Sequence, residues 1–177
     1  AFEKTVKPGY PPKDIINEIK RIEEDSIYSA KGHFYASQYL NILNTTLGVT
    51  ASVISAIAGT SAFSQFDNHN LLAGILSMVV ASLTAIITFI NPNQRASEHL
   101  KVGNEYNALK NDARIFYLVK IDSIENSEAI KLLEKLNYRR NKLNQDSVQI
   151  PRWAFMKAKK GIEYGESTYS VDEDNRK

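Results

Sequence analysis

The stretch Leu71–Ile90, LLAGILSMVVASLTAIITFI, decides the fold, because it holds no charge, no Asn, no Gln and no Pro. An α-helix rises about 1.5 Å per residue, so roughly 20 residues cross a hydrocarbon core of about 30 Å. This stretch has that length and that lack of charge, which predicts a transmembrane helix. Just upstream, residues 39–63 (YLNILNTTLGVTASVISAIAGTSAF) are also long enough to span. They are less oily, since Asn41, Asn44, Thr45, Thr46, Thr50, Ser52 and Ser55 dilute the apolar content. A neighbouring span helps such a helix to insert, because a hairpin shelters its polar face. The connection, residues 64–70, is only long enough for a tight turn.

Charge distribution supports the same reading. Charged residues make up 24% of the 177, yet none lies between Gly32 and Phe66 or between Asn68 and Gln94. Almost every charge therefore falls before or after the proposed hairpin. The flanks carry Lys20, Arg21 and Lys31 on one side and Arg95, Lys101 and Lys110 on the other, whereas the turn holds only Asp67. The positive-inside bias places both termini in the cytoplasm and the turn outside, in a multi-pass protein of the cell inner membrane. A net charge of +2 is too small to argue for a nucleic-acid partner. With no cysteine, neither a disulfide framework nor a thiolate metal site is available. No signal peptide is visible in the mixed-charge first thirty residues.

Outside the hairpin the pattern is helical and amphipathic. Tyr10-Pro11-Pro12 reads as an extended lead-in. From Lys13, the positions Ile15, Ile19, Ile22, Ser26, Ala30 and His33 recur at three and four, which predicts a helix to about Ser37 that continues towards the membrane. Asn91-Pro92-Asn93 predicts a break at the interface. Beyond it, His99, Val102, Tyr106, Leu109, Ala113 and Phe116 form a seam of coiled-coil type. A further helix is predicted from Asn126, with Ala129, Ile130, Leu133, Leu136 and Leu143 on one face. A last one follows Pro151 to about Tyr164, with Gly165 as its stop. The expected organisation is an N-terminal cytoplasmic helix (1–37), the hairpin (38–94), a cytoplasmic helical region (95–165) and a polar tail (166–177) without fixed structure. The fold class is an all-α membrane protein.

Catalytic chemistry finds little support. His33, His69 and His99 are isolated, with no partner carboxylate at metal-ligand spacing, and no glycine-rich phosphate loop occurs. An enzyme is not expected, nor a cofactor or metal. His33 and His99 lie just outside the two spans on the same side, so they could meet at one depth and sense pH. Ordinary packing is the usual fate of a lone histidine. The basic stretch Tyr138–Lys142, with Arg152, Lys157, Lys159 and Lys160, could touch anionic headgroups or a nucleotide, or be a solvated face.

Small and polar residues inside the spans are more informative. Asn44, Gly48, Ser52, Ala56 and Thr60 fall every fourth position on the first span, and Ala73, Ser77, Ala81 and Ala85 do so on the second. Such stripes let helix backbones approach closely, either within one hairpin or between neighbouring chains. Gly48, Ala56, Ala73, Ser77, Ala81 and Ala85 are accordingly the candidate packing face. Intramembrane polar groups face protein or water, so Asn41, Asn44, Thr45, Ser52 and Ser55 are candidates for a lumen or for interhelical hydrogen bonds. Two helices cannot enclose a pore, so conduction would require several chains. Val102, Tyr106, Leu109, Ala113 and Phe116 are the candidate cytoplasmic oligomerisation seam, or else pack on the N-terminal helix.

The layout and several local phrases resemble the SLATT family, the two-transmembrane effector domain associated with SMODS and SLOG proteins in bacterial conflict systems. The residues that carry the likeness run from Phe89-Ile-Asn-Pro-Asn-Gln-Arg-Ala-Ser-Glu-His99 into Gly103-Asn-Glu-Tyr106-Asn-Ala-Leu109 and Arg114. The closing Pro151-Arg-Trp153-Ala-Phe155-Met-Lys-Ala158-Lys-Lys-Gly-Ile162 also belongs to it, and the likeness covers roughly residues 12–165. It implies a membrane effector of antiviral defence that assembles or opens on a signal from a separate sensor or a nucleotide. A non-conducting adaptor that docks a partner is the alternative. A soluble bundle with both apolar helices buried is a third possibility.

Overall fold

The computed structural model describes residues 13–63 and 68–170, and every regular element among them is helical. Helix α1 runs unbroken over Lys13–Ala62. The predicted continuation beyond Ser37 towards the apolar stretch is thus present, with no break between the two. No proline follows Lys13 until Pro92, and Gln38-Tyr39-Leu40 offers nothing that would stop a helix. Helix α2 covers His69–Ile90. His69 and Asn70, expected in the loop, belong to it, while 64–67 and the lead-in at 10–12 lie outside the described residues.

At the end of α2, Asn91 takes the left-handed conformation (φ 47°) and its N–H bonds to the Ile87 carbonyl. Asparagine tolerates this region better than most residues, and proline is well suited to the first turn of the next helix. Helix α3 accordingly spans Pro92–Ile115. It ends in a π-helical turn, Phe116–Lys120, and a 3₁₀ turn, Ile121–Ser123. The wider turn bonds the Ile121 N–H to the Phe116 carbonyl and buries both side chains, five positions apart. Helices α4 (Asn126–Asp146) and α5 (Arg152–Glu163) complete the order.

The chain divides into two compact units. One comprises residues up to Ala36 and from His99 onward, and the other is Ser37–Glu98. In the first, Ile15, Ile19, Ile22 and Ala30 of α1 join Tyr106, Leu109, Ala113 and Phe116 of α3, with Ala129 and Leu143 of α4, in one core. The proposed oligomerisation seam is thus used up inside the chain. Tyr106, Leu109, Ala113 and Phe116 are buried and Val102 packs against the same cluster, leaving no seam for a neighbour. On α4, Leu132, Leu133 and Leu136 lean on the core, whereas Ile130, expected on the same face, is exposed. Ion pairs add to the ties: Arg139 Nη1 meets Asp112 at 2.6 Å and Arg140 Nη1 meets Asp25 at 3.1 Å. Two residues of the basic stretch therefore serve helix–helix contacts.

Close approaches in this unit depend on glycine. A Cβ at Gly103 would lie 2.7 Å from the Phe34 ring, and one at Gly32 would lie 2.9 Å from Ile150. In α5, Ala154, Ala158 and Gly161 are buried. Gly165 (φ 87°) then reverses the chain, a conformation that favours glycine. The segment that follows was expected to lack structure, yet Glu166 is ion-paired to Lys31 at 2.8 Å and Tyr169 accepts a hydrogen bond from Lys110 at 3.0 Å. Residues 171–177 of the predicted tail lie outside the described residues.

Candidate functional site

In the unit Ser37–Glu98, helical geometry leaves the apolar side chains uncovered. No residue of α2 is buried, and Leu71, Ile75, Met78, Ile86 and Phe89 are all exposed, Phe89 by 90%. On α1 the same holds for Ile42, Val49, Val53 and Ile57. The chain therefore carries two helices long and apolar enough to cross a membrane. Among the described residues the apolar stretch of each has almost no buried residue, unlike a bundle that hides both. The least exposed positions of α2 are Ala73, Leu76, Val80, Leu83 and Ile87, spaced three and four. On α1 they include Leu47, Gly48, Ala51, Ile54, Ala58 and Ser61.

Within the single chain this pattern only partly follows the predicted packing face. Gly48 and Ala73 are partly sheltered, but Ala56, Ser77, Ala81 and Ala85 are exposed, because the shielded face of α2 follows a seven-residue repeat rather than a strict four-residue one. Of the predicted polar face, Asn44 is partly sheltered and Asn41, Thr45, Ser52 and Ser55 are exposed. Several hydroxyls are satisfied at home. Ser52 donates to the Gly48 carbonyl at 2.9 Å, and Ser82, Thr84 and Thr88 each donate to the carbonyl four residues back at 2.9 Å. That back-bonding lets a hydroxyl sit in an apolar helix. A carboxamide has more polar valence than this device can satisfy. Among the described residues, the amides of Asn41 and Asn44 make no side-chain hydrogen bond.

In the other unit, two of the three histidines meet. His33 Nδ1 lies 2.8 Å from His99 Nδ1, and both side chains are buried. One ring must donate and the other accept, so the neutral pair holds opposite tautomers. His33 also stacks on Tyr106 (centroids 5.8 Å apart, planes at 16°), whose hydroxyl donates to Asn144 Oδ1 at 2.6 Å. Burial, reinforced by the neighbouring His99, lowers the His33 pKa from 6.5 to about 4. His33 is therefore neutral at pH 7.

A second polar cluster was not visible in the sequence. Glu166 accepts hydrogen bonds from Lys31 Nζ (2.8 Å) and the Tyr35 hydroxyl (3.0 Å), which hold its carboxyl below the usual range. Tyr169 sits under the Arg114 guanidinium, 4.6 Å from ring centroid to Cζ. Lys110 lies 59 positions from Tyr169 and Lys31 lies 135 from Glu166, so no local periodicity signals these contacts. Among the described residues, no group of three or more His, Asp or Glu side chains is arranged to hold a metal ion. No protein-family model, curated protein or solved structure matches the chain.

Proposed function

We propose that the chain is a bacterial membrane effector whose helices α1 and α2 cross the inner membrane as a hairpin, with both termini in the cytoplasm. On a signal from a separate sensor, several copies assemble through the spans and permeabilise the membrane, in the manner that the resemblance to SLATT proteins implies. The observation that carries this reading is the pair Asn41 and Asn44. Among the described residues their amides make no side-chain hydrogen bond, yet they sit on a helix that exposes Ile42, Val49, Val53 and Ile57. In hydrocarbon such groups require water or another chain, and an oligomer around a wet lumen supplies both. The hairpin draws support from two contacts, each made within its own unit. The Ser37 hydroxyl donates to the Ala96 carbonyl at 2.8 Å, and His33 meets His99. Residues just before the first apolar stretch thus lie beside residues just after the second.

A non-conducting adaptor has one observation in its favour. The unit outside the apolar helices has its own core, and the hydroxyls of Ser52, Ser82, Thr84 and Thr88 need no lumen because they bond to their own helix. Dye release from liposomes containing the purified chain separates the two. The effector reading predicts rapid release that falls at least tenfold when Asn41 and Asn44 are both replaced by Leu. Equal, negligible release by both proteins would leave the adaptor.

A further inference from the structure

Between α1, α3 and the returning tail lies a cavity of about 590 Å³, within the range of small-ligand sites. Three cations line it: Lys31 from α1, and Lys110 and Arg114 one turn apart on α3. Aromatic walls are provided by Phe34 and Tyr117, with Tyr169 closing the far side. The tail meets these cations with groups that imitate an anionic ligand. Glu166 places its carboxylate on Lys31 and the Tyr35 hydroxyl, and Tyr169 offers its hydroxyl to Lys110 and its ring to Arg114. Lys110, together with Arg114, also draws the Tyr169 phenol below its usual pKa.

The tail is shaped for this position. Gly165 turns it back, and Gly161 leaves room for the Glu166 carboxylate where any Cβ would collide. Both anchors are polar contacts at the exposed surface, each with two partners, that water and salt weaken, so a stronger anion can replace them. A phosphate accepts more hydrogen bonds at higher charge than a carboxylate, and a guanidinium suits it well. The rings then offer planar surfaces on which a base can stack.

We infer that this groove binds a nucleoside phosphate, whose phosphates displace Glu166 and Tyr169 from Lys31, Lys110 and Arg114 and whose base lies against Phe34 or Tyr117. The site stands apart from the permeabilisation reading, because binding can be measured in detergent with no membrane to cross. Titration calorimetry of the intact chain with ATP, and with inorganic triphosphate as the phosphate-only probe, tests it. Saturable ATP binding is expected, tightened at least threefold by Glu166→Gln, which removes the competing charge. Lys110→Ala with Arg114→Ala should weaken it at least tenfold while the helical circular dichroism and melting stay unchanged. Triphosphate should bind at least fivefold more weakly than ATP. Three results would overturn the assignment: no ATP binding by either the intact chain or Glu166→Gln, ATP binding indifferent to the α3 substitutions, or triphosphate matching ATP.

Discussion

His33 is a group whose protonation the folded chain opposes. Its folded pKa, about 4, lies below the 6.5 of the unfolded chain. As pH falls through 6.5 the unfolded state takes up a proton that the folded state refuses. Stability is therefore complete above that value and declines towards pH 4. Between pH 7 and pH 5 the loss amounts to roughly 2 kcal/mol. Carboxylates titrate too, so the informative quantity is a difference. Urea unfolding of the intact chain and of His33→Gln should show a shallower pH dependence for the variant over that window. Parallel curves would mean that His33 is not the buried neutral group described. The sequence placed His33 and His99 at one depth, but not their ring-to-ring contact, which depends on Gly103 letting α3 come close to Phe34 and His33.

Elements show where local signals win and where they do not. Asn91 was readable as a break, since Asn-Pro carries both the residue that tolerates a left-handed backbone and the one that opens a helix. Replacing Asn91 by Val should lower stability by about 1–2 kcal/mol, while Asn91→Gly should be nearly neutral, as thermal unfolding in detergent would reveal. Equal effects of the two would rule out the backbone explanation. The seam from Val102 to Phe116 was legible for the same reason as any amphipathic stripe, but periodicity says only that a face is buried, not by whom. Its partner proved to be Ile15, Ile19 and Ile22 of the same chain. The small residues of α2 do not mark the sheltered face within the single chain. Every fourth position is a plausible contact face, yet the sheltered line passes through Leu76, Val80 and Leu83. The tail was illegible because Glu166 and Tyr169 find Lys31, Lys110 and Arg114 only after the helices have assembled.

At the scale of the whole molecule, two kinds of surface share one chain. One unit buries its apolar residues in a shared core and arranges charges outside it. The other leaves a continuous apolar helix surface that water would penalise at roughly 25 cal/mol per Å². Lipid removes that penalty, which is why the membrane is the solvent proposed for α2 and for α1 beyond Tyr39. Because the natural chain has no cysteine, single introduced thiols report their side of a membrane without background. The most direct measurement is labelling by a membrane-impermeant maleimide of Asn70→Cys and Ser97→Cys, each in cells expressing the chain. A hairpin predicts that the thiol at 70 reacts in intact cells and the one at 97 only after permeabilisation. Reaction of both from the same side, or of neither until the membrane is dissolved, would contradict it.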